Sequence, residues 1–398
     1  MSSTRRAYLY RLYPADEQAH ALQHQLDVAR ELYNACLQER REAYGMAHLT
    51  LNYYDQAKQI KEIRQIRPDF ASVNFSMLQA VCRRAQRSYE QFFRRLNEWK
   101  ARKAHGGPVG EKPRPPRFKS YLRFNSITFP SHGDGCRLKG NRLYVQGVGT
   151  LKVKLHRPVG GAIKTVTLKR VGQRWHVVVS CTVAVVPLPA TGQVVGIDVG
   201  LQSYLMTDTG APVPNPRPLR RARADLRRAQ RRLARKQKGS RNRQQQRRRV
   251  ARVYEKIANV RRDFHHKTAH DLVMTCDVIC HEDLAIKNML ANHCLALSIS
   301  DAAWGQFIAI LTHKAEGAGR QILAVDPRGT SQTCVCGEAV PKDLGERWHQ
   351  CPRCGLSLPR DQVSAMLIKT AGLEMLDRRS PLGSSGQAVT WPGAASVA

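Results

Sequence analysis

VVGIDVG, residues 194–200, sets one carboxylate, Asp198, inside a run otherwise made of Val, Ile and Gly. A short apolar run bounded by glycine reads as a buried strand, with residues 204–208 as its hairpin neighbour. A buried, unpaired carboxylate costs several kcal/mol, so such a group is usually paired or on a metal. A lone Asp in a strand is more often structural, and the reading gains weight only from two further acids. Glu282 closes a second buried strand, VICHE (278–282), and Asp361 opens a helix near the C-terminal end. One carboxylate inside a strand, one at a strand end and one at a helix start can converge on one edge of a sheet. Oxygen ligands of this kind suit Mg²⁺, and two such ions serve phosphodiester cleavage. Asp208 and Asp283 could replace a ligand if the register differs, although Asp283 should face away from Glu282 because side chains alternate along a strand. Asp301 is expected to cap the helix that contains Trp304. His281 and His349 have no evident partner set and read as structural or surface residues.

The chain has 398 residues, with 65 Lys+Arg against 31 Asp+Glu and a formal net charge of +34. That balance is foreign to an ordinary metabolic enzyme and points to a polyanion, nucleic acid first. Hydrophobic residues at 42% and charged residues at 24% exclude a disordered or collagen-like chain. No uncharged apolar run approaches a membrane span, so no membrane partner is expected. The first eighteen residues have no apolar stretch like a secretory leader, and a bacterial cytoplasmic, nucleoid-associated location is expected.

Residues 6–13 alternate apolar and basic side chains and suggest a half-buried strand, ended by Pro14, with Asp16 as cap of a following helix. Leu22, Leu26, Ala29, Tyr33 and Leu37 form one face of that helix. A second helix runs from about 75 to 103, with Leu78, Val81, Ala85, Tyr89, Phe92, Leu96 and Trp99 as its stripe. Arg83, Arg84, Arg87, Arg94 and Arg95 lie mostly off the stripe, where a basic face can follow phosphates. Residues 105–119 are a Gly/Pro breaker. From 124 to 186 the period becomes alternating, with a hairpin around Gly172, as expected of a small basic antiparallel domain that residues 6–13 join. Residues 220–262 then hold nineteen Lys and Arg against two acids, a net +17. Leu226, Ala229, Leu233, Val250, Val253 and Ile257 keep helical spacing, with Gly239 and Ser240 between, so this segment reads as a basic helical hairpin that needs a polyanion.

Eleven cysteines divide into seven scattered ones, expected as reduced buried thiols, and a cluster, Cys334, Cys336, Cys351 and Cys354. C-V-C-G and C-P-R-C-G lie fourteen residues apart, a ribbon-type spacing for one structural Zn²⁺. The first pair has only a one-residue spacer, which should strain simultaneous ligation. His349 is the substitute ligand if a thiol of that pair cannot reach.

In order along the chain come GIDVG (196–200), KGS (238–240) in the Arg-rich hairpin, HEDL (281–284), LSISDAAWG (297–305), PRGTSQTC (327–334) and CPRCG (351–355) before RDQVSA (360–365). This order resembles the TnpB family, RNA-guided nucleases of bacterial transposons regarded as ancestral to type V CRISPR effectors. The likeness covers about 193–376, and more loosely the N-terminal half through RLYP (11–14) and PPRFK (115–119). It implies a multidomain α+β chain. A barrel-like β wedge domain (1–15 and 105–190) carries an inserted helical recognition lobe (16–104). An RNase H-like (RuvC) α/β nuclease domain (191–376) follows, with the Arg-rich hairpin at about 217–265 and a zinc-ribbon insert at about 327–358. A disordered tail (377–398) ends the chain. The resemblance further implies Asp198, Glu282 and Asp361 as the catalytic acids, holding two Mg²⁺ (Mn²⁺ as substitute), and the four clustered cysteines as zinc ligands. It implies a guide RNA from the transposon end and duplex target DNA bearing a short adjacent motif as partners, with a monomer favoured. Gln79, on the exposed side of the second helix, is the candidate motif contact. Arg83, Arg87, Arg227, Arg228, Arg231, Arg235 and Lys238 are candidate nucleic-acid contacts.

Two departures stand out. The first cysteine pair is one residue short, and Val363 and Pro359 stand where the family often has Asn and an acid. Two other functions compete: a nuclease-inactive guided regulator, and an RNase H-like DNA transposase.

Overall fold

The computed structural model describes residues 3–106, 109–343 and 345–379, which form two compact units, Ser3–Ala184 and the chain from Val185 onward. The tail expected to be disordered lies outside the described residues from 380 on; its first residues, to Arg379, continue the last helix. None of the described helices is long and apolar enough to cross a membrane.

The first unit begins with β1 (Ser3–Tyr13) and continues through α1 (Asp16–Ala47), α2 (Tyr53–Ile66), α3 (Pro68–Ala71) and α4 (Phe75–Ala104). Six strands follow: β2 (Ser126–Phe129), β3 (Cys136–Lys139), β4 (Arg142–Val145), β5 (Gly149–Lys154), β6 (Ala162–Val171) and β7 (Arg174–Ala184). They build one antiparallel, barrel-like sheet in the order β2-β6-β7-β1-β5-β4-β3, with β1 at its centre. Period two explains the strands. Tyr8, Tyr10 and Leu12 of β1 and Trp175, Val177, Val179 and Cys181 of β7 point inward, while Leu9, Arg11, His176, Val178 and Ser180 alternate on the less buried face. The hairpin expected around Gly172 joins β6 to β7, and Gly172 has φ 61°, where glycine is unstrained.

Helix stripes complete the same core. Leu22, Leu26, Ala29, Tyr33 and Leu37 of α1 pack with Leu78, Val81, Cys82 and Ala85 of α4 and with the inward strand residues. Truncating a fully enclosed leucine such as Leu22 to alanine would cost about 2–5 kcal/mol. Three expectations need correction. Ala15, not Asp16, is the N-cap of α1, and its N–H donates to Gln18 Oε1 at 3.1 Å; Asp16 sits in the first turn, where the helix dipole still favours its charge. The apolar stripe of α4 is buried only to Ala85, and Phe92, Leu96 and Trp99 stay half-buried. Gln79 is half-buried rather than exposed, because it stands between the buried Leu78 and Val81 turns. Helix α2 escaped the sequence reading, although Asn52 caps it and Asp55 completes a capping box, which is a local signal.

The second unit contains β8 (Val194–Val199), β9 (Ser203–Thr207), β10 (Pro212–Pro214), α5 (Pro218–Ala234), α6 (Arg241–Thr275), β11 (Val278–Glu282), α7 (Ile286–Met289), α8 (Ala296–Ala302), α9 (Trp304–Ala318) and β12 (Gln321–Val325). The strands β13 (Trp348–Gln350) and β14 (Ser357–Pro359) make a small ribbon that runs directly into α10 (Arg360–Arg379). The main sheet has the order β10-β9-β8-β11-β12; β8, β11 and β12 are parallel, and β9 and β10 antiparallel. It is covered on both faces, as parallel strands require. Val195 and Ile197 of β8 and Ile279 of β11 pack with α6 and α9 on one face. Val278 and Cys280 of β11 and Leu323 and Val325 of β12 pack with Ile368 of α10 on the other.

The basic hairpin is α5 packed on α6, with Leu226 and Ile257 buried in the seam and Ser240 capping α6 through Arg243 N at 3.2 Å. Asp301 does cap a helix, but not that of Trp304. Its carboxylate accepts from the N–H groups of Leu219 (2.9 Å) and Arg220 (3.1 Å) at the start of α5, and pairs with Arg261 at 3.1 Å. Ala303, with φ 52°, occupies the N-cap of α9 instead.

Candidate carboxylate centre and metal cluster

Three elements carry the acids. Asp198 is the penultimate residue of β8, Glu282 the last of β11 and Asp361 the second of α10. Cys280 pairs with Gly196 and His281 with Ile197, so one further step along both strands brings Glu282 beside Asp198. Alternation puts Gly196, Asp198 and Glu282 on the face covered by α10. Glycine is what lets the helix approach. A Cβ on Gly196 would lie 2.0 Å from the Ala365 carbonyl oxygen, and one on Gly372 would lie 2.2 Å from Cys280 Sγ. The contact at Gly196 seats α10, between Ala365 and Lys369, over the middle of β8, and a Cβ on Gly200 would be 3.9 Å from Asp361 Oδ2.

Asp198 senses the charges of the other two acids. Asp198 keeps part of its surface open to solvent, yet its surroundings push its carboxyl well above the usual range: first burial, then the charges of Glu282 and Asp361. The Arg360 guanidinium, 3.5 Å from Asp361, opposes that shift. Burial also raises Glu282, and Thr330 Oγ1, donating to Glu282 Oε1 at 2.5 Å, holds it back. Three acids share this strand end with one guanidinium, Arg360, which leaves an excess of negative charge. A divalent cation with oxygen preference is the group that this donor set fits. Parallel strands commonly gather ligands beyond their carboxyl ends.

The alternative acids are spoken for or out of place. Asp208 accepts from Gly196 N (3.0 Å) and pairs with Lys369 at 2.8 Å, while Asp283 is exposed. His281 is buried, its Nδ1 2.8 Å from the Glu282 carbonyl oxygen. Val363, where the family often has Asn, is enclosed in the core, which accounts for an apolar residue there. Thr330 carries no periodic or spacing signal and was not anticipated; only its place in PRGTSQTC was visible.

The cysteine cluster is the one group among the described residues whose candidate ligand atoms all lie within 4.8 Å of one another. Cys334 Sγ is 3.6 Å from Cys354 Sγ, and Cys336 Sγ is 3.6 Å from Cys351 Sγ. The single-residue spacer therefore does not keep either thiol of the first pair away. Gly337 and Gly355, with φ 86° and 71°, close the two knuckle turns, which a side chain would strain. Burial pushes the Cys334 thiol up to about 12, whereas N–H groups of Cys354 and Arg353 lower Cys351 to about 7. Four thiols at this separation fit one tetrahedral Zn²⁺, which would hold all of them as thiolates. His349 is fully buried rather than on the surface, and it is not needed as a ligand. Of the scattered cysteines all are free and buried except Cys294, exposed in the turn before α8.

Of the candidate nucleic-acid contacts, Arg83, Arg87, Arg227, Arg228, Arg231, Arg235 and Lys238 are all exposed. Arg83 lies over the Tyr53 ring, and Arg228 pairs with Asp225 at 2.6 Å. Arg84 is diverted into the core, where it stacks on Phe124 and donates to the Ser126 carbonyl.

Comparison with known proteins follows the same chain order. Residues 175–293 match the OrfB_IS605 family, described as "Probable transposase". Residues 304–368 match "Cas12f1-like, TNB domain", and residues 1–47 match the helix-turn-helix domain of OrfB_IS605. A protein of Streptomyces pristinaespiralis named "Putative RNA-guided DNA endonuclease" is 32% identical over 381 residues, covering 94% of this chain and 90% of its own. "Putative RNA-guided DNA endonuclease InsQ" of Escherichia coli (strain K12) is 26% identical over 395 residues, covering 93% of each. A solved structure of the mini-RNA-guided endonuclease CRISPR-Cas_phi3 aligns with TM-score 0.48 and 10% identity over 93% of this chain and 92% of that one.

Proposed function

The chain belongs to the TnpB family, and on that premise we propose that it is an RNA-guided DNA endonuclease of a transposon. It cleaves DNA beside a short adjacent motif by hydrolysis at one carboxylate centre. The observation that supports this reading is the placement of Asp198, Glu282 and Asp361 at the end of β8, with Asp198 raised first by burial and then by the charges of the other two. The strand order, with the antiparallel-paired β9 and β10 beside a parallel trio, supports an RNase H-like, RuvC-type assignment.

Asp198, Glu282 and Asp361 would hold two Mg²⁺, with Mn²⁺ as substitute. Such ions activate water and stabilise the leaving oxygen of the phosphodiester. The residues of this chain orient and charge the site: Thr330 fixes Glu282, and Arg360 keeps positive charge beside Asp361. The four cysteines would hold one structural Zn²⁺ in the insert at about 327–358.

Relatives named for RNA-guided cleavage, and a formal charge of +34, support guide RNA and duplex DNA as partners. The β domain would be the wedge, α1 to α4 the recognition lobe, and Arg228, Arg231 and Arg235 of the basic hairpin a grip on the guide–target heteroduplex. Gln79 remains the proposed motif contact, through the part of it left open. A monomer in the bacterial cytoplasm completes the reading.

Plasmid cleavage with the copurifying RNA and Mg²⁺ tests it. Asp198→Ala should lower cleavage about 10³-fold or more while RNA and DNA binding persist, since a metal ligand and no cation is lost. Retained cleavage by that variant refutes the centre. Guided binding with no cleavage by the parent chain indicates a regulator. The "Probable transposase" description favours one second reading, and strand-transfer products would establish it.

A further inference from the structure

The turn after β8, the first half of α5 and helix α8 border a half-open cavity of about 550 Å³, within the size range of small-ligand sites. Its wall is apolar where Leu219, Leu226 and Leu297 line it, and cationic where Arg220, Arg223 and Arg227 do; the Asp301 carboxylate in the same wall is already held by Arg261 and by the N–H groups of Leu219 and Arg220. The α5 residues among these recur at helical spacing and share one face. Arg220, Arg223 and Arg227 are exposed, and none has a carboxylate partner among the described residues. Three guanidinium groups around an apolar hollow repel one another and leave hydrocarbon open to water. A ligand with a flat apolar body and an attached anion relieves both. An unpaired nucleotide has that form: its base packs on leucine side chains and guanidinium planes, and its phosphate takes charge-assisted hydrogen bonds. A base held in a duplex stack cannot enter.

Location selects the strand. Leu201, which also lines the cavity, is the third residue after Asp198. The cavity thus lies near the same end of β8 as the carboxylates, by the face of the sheet that α6 and α9 cover. A strand seated there and crossing the strand end arrives at the acids. We propose that this cavity is a docking subsite for one unpaired nucleotide of the DNA strand to be cut. The proposal rests on the nuclease reading for the identity of the strand, though not for the chemistry of the ligand.

The test uses the full-length Asp198→Ala chain with a single-stranded thymidine oligomer bearing 4-thiothymidine. Photocrosslinks should map to residues 218–230 or 295–301. Filling the hollow from an exposed position, Ser298→Trp, should reduce their yield about tenfold, and Arg223→Gln should reduce it with the wall otherwise intact. A wholly abasic oligomer of equal length should bind the parent about tenfold more weakly, and Ser298→Trp should erase that difference. Crosslinks confined to other segments, equal affinity for the abasic oligomer, or crosslinking there by RNA alone would each overturn the proposal. If the parent chain fails to cleave but the base-dependent crosslink persists, the nuclease reading falls and the nucleotide site stands. Cleavage without the crosslink removes only the site.

Discussion

Gly196 of β8 and Ala365 of α10 meet backbone to backbone, so closely that a Cβ on Gly196 would lie 2.0 Å from the Ala365 carbonyl oxygen. Two residues beyond Gly196 is Asp198, and four before Ala365 is Asp361. The spacing of the two acids is thus set by a place where no side chain fits. Lys369, one turn further along α10, reinforces the contact by pairing with Asp208, whose carboxylate also holds the Gly196 N–H.

Gly196→Ala should therefore act on the site through the helix. The backbone on both sides cannot yield cheaply, so α10 must shift, with a loss of about 1–3 kcal/mol typical of overpacking. Cleavage should fall further than stability explains, because misplacement by about 1 Å can cost about 100-fold in rate. Thermal unfolding and single-turnover cleavage, measured together, check this. A variant with unchanged stability and rate would show that the contact does not position Asp361.

Thr330 is expected to be a positioning residue for Glu282. Its hydroxyl, 2.5 Å from Oε1, stabilises the charged carboxylate that burial disfavours. Thr330→Val removes that donor, so the Glu282 pKa rises and the acidic limb of the pH–rate profile moves to higher pH. Lost outer-shell hydrogen bonds of this kind reduce metal affinity or activity about 10–100-fold. Thr330→Ser should restore the parent profile. A profile unmoved by Thr330→Val would remove the role.

One zinc per chain should be found by elemental analysis. Chelation, or Cys351→Ser, should release the ribbon of β13 and β14, detected as faster amide exchange over 334–359. The change should reach the carboxylate centre, because Arg360 N donates to the Arg347 carbonyl at 2.9 Å and Arg360 also touches Asp361. Full protection after complete zinc removal would show that the thiol cluster does not organise the insert.

His265 gives the fold an acid-sensitive point away from the proposed centre. Its ring is fully buried, with Nε2 3.0 Å from both Tyr204 OH and the Ala302 carbonyl, and Nδ1 has no partner among the described residues. Burial lowers its pKa to about 4 from 6.5. The unfolded chain takes up the proton first, so the stability from the neutral ring is complete above about pH 6.5. It is lost as pH falls through about 4, by roughly 3 kcal/mol at most. His265→Gln should flatten the stability–pH curve in that window; an unchanged slope would place the acid sensitivity elsewhere.

Much of this was legible before any coordinates. Period two marked β1 and the β6–β7 hairpin, a 3.6 period marked α1 and the start of α4, and residues 194–199 and 278–282 declared themselves as short apolar strands. The paired cysteines announced a cluster. Each of these signals is local, since it depends on neighbours within a few positions of the chain. What the sequence could not show depended on partners far along it. Asp301 satisfies the start of α5 from 82 residues away. Arg84 leaves its basic helix face to stack on Phe124. Thr330 reaches Glu282 across 48 residues.

The sequence by itself determined the family, the strand and helix periods, the carriers of charge and the residue types able to hold metal, because composition and short-range periodicity suffice for those. Tertiary structure alone decided which carboxylates lie at the end of β8 and which are spent on pairing, as Asp208 is on Lys369. It also decided that a one-residue spacer still lets four thiols converge, and that three arginines of α5 line a hollow rather than a flat face. The physical reason is that close backbone approach, long-range hydrogen bonds and cavities arise from the packing of whole elements, which leaves no periodic trace in the chain.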